Sequence, residues 1–350
     1  MNEIAGNPAW RAVSYREVME LITAVVWFAV GLVLLIKGGD WFVDGASGIA
    51  KRAHIPELVI GATVVSIGTT LPEVMVSATS AVSGHSEIAY GNALGSIICN
   101  TALIAAVTIA VRPQSVDRGT FRLPVIFFFA AMIFYAVNAY AFGTFTRAAG
   151  IIMLIIFAAY IVIYTRQALR ASAAAVPGAC DAPETECAAS DDAMPLWKEI
   201  VFLVAGAVFI AIGADLLVDN GTLIAEGLGV PESVIALTFV ALGTSLPELV
   251  TAISSLMKGH GALSLGNIIG ANLFNLVLVC GISITLSPFD VPCSKTIMGL
   301  NSSLVVDIPL AFLLMAFLTL PAIIRGKLYR WQGITLLACY AAFCIYQFAI

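Results

Sequence analysis

Charge is scarce in this chain and nearly missing from its long apolar runs: Asp, Glu, Lys and Arg make up 11% of the 350 residues, against 60% hydrophobic. A soluble domain cannot clothe its surface on that ratio, so the composition is a membrane protein's and soluble readings are excluded. Basic blocks are lacking as well, and a formal net charge of -5 gives no footing for a nucleic-acid partner. No cleavable leader is expected, because Glu3, Arg11, Arg16, Glu17 and Glu20 stand where a short basic stretch and a brief apolar run belong. Of seven cysteines, only Cys180 and Cys187 lie together in a polar stretch, without the further Cys or His that zinc requires. No cofactor is expected.

Apolar length is what the chain has in quantity. A spanning helix needs about 20 mainly apolar residues, and ten segments qualify: about 20–45, 56–82, 88–111, 122–142, 147–168, 197–219, 231–257, 262–286, 303–324 and 331–349. The lipid bilayer is the expected partner. Connections are short except for 169–196, whose alanines, prolines and acids (Asp181, Glu184, Glu186, Asp191, Asp192) read as a solvated linker. It lacks the alternating Asp/Asn ligands and central Gly of a calcium-binding loop.

The segments either side of the linker, 1–168 and 197–350, are copies. Gly68-Thr69-Thr70-Leu71-Pro72-Glu73 returns 175 residues later as Gly243-Thr244-Ser245-Leu246-Pro247-Glu248. The same offset pairs Asp40 with Asp215, Asp44 with Asp219, Pro56 with Pro231, His85 with His260, Gly91-Asn92 with Gly266-Asn267, and Asn100 with Asn275. Between 56 and 100 there are 18 identities in 45 aligned positions, more than apolar segments share by chance. Gly143-x3-Arg147-x2-Gly150 recurs as Gly326-x3-Arg330-x2-Gly333 before the last segment of each half.

Five spans per half is an odd number, so the second copy is expected to enter the membrane from the opposite side. Lys and Arg agree: four (Arg11, Arg16, Arg147, Lys295) fall on the N-terminal side and twelve on the other. That bias puts both termini outside and the linker in the cytoplasm. The expected fold is an all-α polytopic membrane protein of ten transmembrane helices, arranged as two inverted five-helix repeats. Its expected home is the cell inner membrane or plasma membrane.

The repeated motif breaks helices 2 and 7. Proline removes one backbone hydrogen bond and crowds the carbonyl four residues earlier, here that of Gly68 and Gly243, with Ser66 and Ala241 exposed by the flanking turn. In lipid an unsatisfied carbonyl costs several kcal/mol, so the break implies something to fill it. Helical spacing puts Ser66, Thr69, Thr70, Glu73, Ser77 and Ser80 on one polar stripe, with Thr244, Glu248, Thr251 and Ser255 as its counterpart. The next segment of each half adds amides: Asn92, Ser96 and Asn100, then Asn267 and Asn275 with Ala271 between them. Every donor atom is oxygen, which suits hard cations, calcium above all, rather than zinc, copper or iron. A buried glutamate alone can be a protonated, hydrogen-bonded group beside a kink. The same costly residue with the same proline in both halves argues for a shared site.

At these residues the sequence resembles the calcium/cation antiporter superfamily, most closely its prokaryotic sodium/calcium exchanger branch. The resemblance covers nearly the whole chain, through the G-T-S-x-P-E type motif of helices 2 and 7 and the G-N-x-x-G-S motif of helices 3 and 8. It implies Glu73 and Glu248 as shared calcium and sodium ligands, and Thr69 and Thr244 with the carbonyls of Ser66 and Ala241 as sodium ligands. Thr70, Ser245, Ser77, Ser96 and Asn100 would supply further oxygens, with Asn275 at the matching amide position. It also implies Ca2+ export in exchange for Na+ by alternating access, with residues 20–45 and 197–219 sliding across a static core. The departures are Thr70 for a common Ser, Ala271 for a common Ser, and Asn275 where some relatives, the potassium-dependent branch included, carry Asp. The missing carboxylate argues against potassium co-transport. Protons remain an alternative driver, since both glutamates can carry them. An intramembrane hydrolase would need a water-activating arrangement, and no enzyme is expected.

Three further sets stand out. Asp40, Asp44, Asp215 and Asp219 read as charged ends of membrane helices, Lys37 being a partner for Asp40. His85 and His260 read as solvated turns. Glu57 and Glu232 read as favourable charges at helix starts.

Overall fold

The computed structural model describes residues 15–52, 66–116, 118–174, 195–257 and 261–349. Among them, eight helices are long and apolar enough to cross a membrane. In chain order the helices are α1 (Tyr15–Arg52), the short α2 (Ser66–Thr69) and α3 (Leu71–Val82), α4 (Ser86–Val111), α5 (Arg118–Phe142) and α6 (Arg147–Ala174). The second half has α7 (Leu196–Leu228), the shorter α8 (Glu232–Thr244) and α9 (Leu246–Met257), α10 (residues 261–286), α11 (Ser303–Arg325) and α12 (Arg330–Ala349). The expected second span is described only from Ser66, as α2 and α3. The seventh is two short helices meeting at Ser245.

Burial sorts the helices. The most apolar windows of α4 and α10 are 78% and 83% buried, against 22% for those of α1 and α6. Small residues on every side of α4 (Gly91, Ala93, Gly95) let neighbours close round it, so it forms the core with α10. The outer helices turn Ile22, Val33, Ile155 and Ile345 outward, as lipid contact asks. α1 and α7 pack along their lengths. They come so close that a Cβ at Gly206 would stand 2.5 Å from the Phe42 backbone nitrogen.

Helices run past the apolar sequence that announced them. α1 continues to Arg52 and α7 to Leu228. Asp40, Asp44, Asp215 and Asp219 therefore lie within helices and not at their ends, which corrects the sequence reading. Hydropathy marks where lipid begins and stops; the backbone ladder carries on into water. The linker is shorter than expected for a similar reason, since α6 extends to Ala174. Residues 175–194 of it, Cys180 and Cys187 included, lie outside the described residues, as do Pro56, Glu57 and His260.

The two halves are joined by matching pieces. Strand β1 (Gln114–Ser115) pairs with β6 (Lys327–Leu328), and β2 (Thr144–Phe145) pairs with β3 (Phe289–Asp290), both antiparallel. At the repeat offsets, Gln114 corresponds to Phe289 and Phe145 to Leu328, so each pairing is the other with the halves exchanged. Arg147 caps the end of α10 through the carbonyls of Thr285 (2.9 Å) and Leu286 (3.4 Å), and Arg330 caps α4 through Val111 (3.1 Å). Local strands β4 (Thr296–Ile297) and β5 (Leu300–Asn301) form a small hairpin before α11.

Candidate cation-binding site

The helix breaks fall at Thr70 (φ -92°, ψ -1°) and Ser245 (φ -86°, ψ 8°), each two residues before its proline. α3 and α9 restart there with Glu73 and Glu248 in their first turns. Glu73 is fully buried and Glu248 is 8% exposed. The halves meet at this point: the Ser245 hydroxyl donates to Glu73 Oε1 at 3.3 Å.

Asn92 of α4 ties the assembly together. Its Nδ2 donates to the Glu73 carbonyl at 3.1 Å and to Ser77 Oγ at 2.9 Å, while its Oδ1 accepts the Thr244 hydroxyl at 3.1 Å. Ser77 in turn donates to the Ala89 carbonyl at 3.3 Å, and Ser96 Oγ lies 3.5 Å from Thr244 Oγ1. Thr70, Ser77, Ser96, Thr244 and Ser245 are all buried. The Ala241 carbonyl is engaged, accepting the Ser245 amide at 3.1 Å and the Thr244 hydroxyl at 3.3 Å. Ser66 and Thr69 form the two ends of α2.

A widened π turn begins on Asn100 and again on Asn275, the matching positions of the repeat. Each packs against the glutamate helix of the other half, the Asn100 turn on α9 and the Asn275 turn on α3. Both amides are buried with neither polar atom hydrogen-bonded to a described residue, and the same holds for Oε2 of Glu73 and of Glu248. Buried polar atoms left unpaired cost about 1–3 kcal/mol each. The same two residue types, Glu and Asn, carry such atoms at matching positions of the two halves.

Several residues fall differently from the sequence reading. Asn267 is exposed, although its repeat mate Asn92 is buried. Ser80 turns back on its own helix, to the Val76 carbonyl at 2.6 Å. His85 is no bare solvated turn, since its ring Nδ1 lies 3.0 Å from Glu232. Asn272, unmarked by the repeat because Ile97 is its mate, is buried, donates to Thr101 Oγ1 at 2.8 Å, and leaves Oδ1 unpaired among the described residues. An open cavity of about 260 Å³ lies against both breaks, lined by Gly68, Pro72 and Pro247 with Asp40 and Asp44 of α1 at its walls. Lys37 reaches Asp40 at 3.5 Å, as its spacing suggested.

A helical bundle whose core is interrupted by paired acids, hydroxyls and amides, with an acidic cavity against the interruption, is the build of a membrane cation transporter. Comparison with known proteins gives the family. The sodium/calcium exchanger protein family model matches residues 23–166 and 198–349, and the chain belongs to that family, within the calcium/cation antiporter superfamily. It is 34% identical to the putative antiporter CaxA of Alkalimonas amylolytica, covering 94% of this chain and 99% of that one. Identity to the sodium/calcium exchanger MaX1 of Methanosarcina acetivorans is 32%, over 92% and 97% of the two chains. A solved structure of the sodium-calcium exchanger NCX_Mj, soaked with Na+ and Sr2+, superposes with a TM-score of 0.61 at 29% identity, covering 92% of this chain and 97% of its own.

Proposed function

We propose that this protein is a secondary antiporter that exports Ca2+ in exchange for Na+ by alternating access at a mid-membrane site. Its chain is read as ten transmembrane helices in two inverted five-helix repeats, 1–168 and 197–350, with the 169–196 linker cytoplasmic and both termini outside. The exchange of roles between the β1–β6 and β2–β3 pairings supports the inversion. The site reading is carried by one observation: buried, unpaired oxygens of Glu73, Glu248, Asn100 and Asn275 come from both halves, and each Asn turn packs against the other half's glutamate helix.

Glu73 and Glu248 are the ligands shared by Ca2+ and Na+. Thr69, Thr244 and the carbonyls of Ser66 and Ala241 complete sodium sites; Thr244 gives up its bond to Ala241 when both oxygens turn to an ion. Thr70, Ser245, Ser77, Ser96, Asn100 and Asn275 supply the remaining oxygens. Two ionised carboxylates in a dry core carry a charge too costly to leave uncompensated. One Ca2+ or a set of Na+ ions neutralises them, and only neutralised forms change the open face, so flux of one ion requires the other. Replacing Glu73 or Glu248 by Gln should abolish calcium uptake in protein that still inserts and folds; uptake retained in both variants would falsify the site.

Proton coupling is the second reading, favoured by the bare Oε2 of each glutamate, which a proton serves as well as a cation. The hydroxyls of Thr244 and Ser245 beside them favour sodium, since proton carriage has no use for them.

A further inference from the structure

We propose that His85 and Glu232 form a proton-sensitive clamp on the seam between α4 and α8, and that its charge sets how firmly the Thr244 wall of the cation site is held. The inference rests on the exchanger reading above. It starts from a rigid turn. Gly84 (φ +88°) ends α3, the His85 amide donates to the Ser80 carbonyl at 2.8 Å, and the His85 carbonyl accepts the Ile88 amide at 3.0 Å. The imidazole so presented puts Nδ1 3.0 and 3.1 Å from the two carboxylate oxygens of Glu232, at the start of α8, and 3.5 Å from Thr222 Oγ1 of α7.

Below this contact the seam has no slack. Glu87 accepts the Ser233 amide at 3.4 Å; a Cβ at Gly91 would stand 2.5 Å from that of Ala236, and one at Gly95 2.7 Å from that of Ala241. The seam ends at Ser96 and Thr244, reached from Glu232 along α8 through the π turn Ala236–Val240. Close-packed backbones transmit displacement, so a change in pull at Glu232 is felt at Thr244.

Histidine is the side chain that ordinarily changes charge near neutral pH. Protonated, His85 meets Glu232 as a charge-assisted pair; neutral, it keeps at most an ordinary hydrogen bond. The other charged groups on the surrounding elements are Glu87, turned to Ser233 and Ser294, and the exposed Asp219 and Glu226 flanking Thr222 on α7. Lys295, beside Ser294, is turned away to the Gln347 carbonyl at 2.6 Å. The clamp is distinct from a proton binding the cation site itself, because neither glutamate of that site takes part.

The test is sodium-driven calcium uptake in proteoliposomes, with pH on the His85 face stepped from 8 to 6. The wild-type rate should fall about threefold, the scale of one part-exposed ion pair, and the step should vanish in His85→Gln and Glu232→Gln, which match wild type at pH 8. A profile unchanged by His85→Gln, or flat in wild type, overturns the clamp. Proton competition at Glu73 and Glu248 would survive both substitutions. A readout independent of transport is hydrogen exchange in purified protein. Amides 233–240 should exchange faster in His85→Gln than in wild type at pH 6 and alike at pH 8, and equal protection at both pH values also overturns the clamp. His85-dependent protection in a protein with no sodium-driven uptake would leave the clamp standing and sink the exchanger reading.

Discussion

Asn92 carries more of the site than any other uncharged residue. Three of its contacts cross elements, and two hold the Glu73 backbone and the Thr244 hydroxyl, parts of two proposed ligands. Asn92→Ala should destabilise the folded protein by about 1–3 kcal/mol, because it leaves buried partners unpaired, and should weaken calcium binding at least tenfold. Thermal unfolding and calcium titration check the two effects, and a variant with wild-type affinity contradicts the tying role. Ala271 offers the complementary experiment. It is buried and stands where the resemblance favours Ser, so Ala271→Ser returns one oxygen to the site. The sodium concentration for half-maximal exchange should fall about fivefold, the equivalent of one net hydrogen bond of about 1 kcal/mol. An unchanged or higher value would mean that position 271 does not face sodium.

At the scale of elements, the two arginine caps and the close approaches at Gly150 and Gly333 hold the last helix of each half against the core. A Cβ at Gly333 would stand 2.5 Å from the Ala106 carbonyl and 2.6 Å from the Ala110 nitrogen, both backbone atoms that cannot swing aside. Gly333→Leu should therefore destabilise by at least the 1–3 kcal/mol typical of overpacking, read as a lower midpoint of thermal unfolding. Most of this architecture was legible in the sequence. Apolar runs located eight helices, and the 175-residue offset placed the breaks, the acids and the π-turn asparagines, because duplication repeats local chemistry. What escaped has two physical causes. Hydropathy reports lipid contact rather than helicity, so the ends of α1, α6 and α7 ran on. Contacts between distant residues leave no local trace, so the Asn92–Thr244 bond and the His85–Glu232 pair appeared only with the fold, and Asn272 was hidden because its repeat mate is Ile97.

For the whole molecule, orientation and coupling follow from charge. Twelve basic residues on one side and four on the other favour the proposed orientation, with the linker inside the cell and the loop before α11 outside. Exposed Cys293 lies in the loop before α11, whereas Cys180 and Cys187 belong to the linker. In intact cells a membrane-impermeant maleimide should label Cys293, with Cys180 and Cys187 reacting only after permeabilisation; the reverse pattern would invert the topology. Asp40 and Asp44 stand on the wall of the cavity that lies against the breaks. Asp40→Asn with Asp44→Asn should raise the calcium concentration for half-maximal uptake at low ionic strength and lose that effect in high salt, which screens exposed charge.

Coupling itself is tested most directly by calcium uptake into proteoliposomes loaded with sodium, then with potassium, and then given only a pH gradient in sodium-free buffer. Uptake with internal sodium alone is the predicted result. Uptake driven by the pH gradient without sodium would contradict sodium exchange and recast Glu73 and Glu248 as proton carriers, and uptake needing no gradient of either ion would contradict antiport altogether.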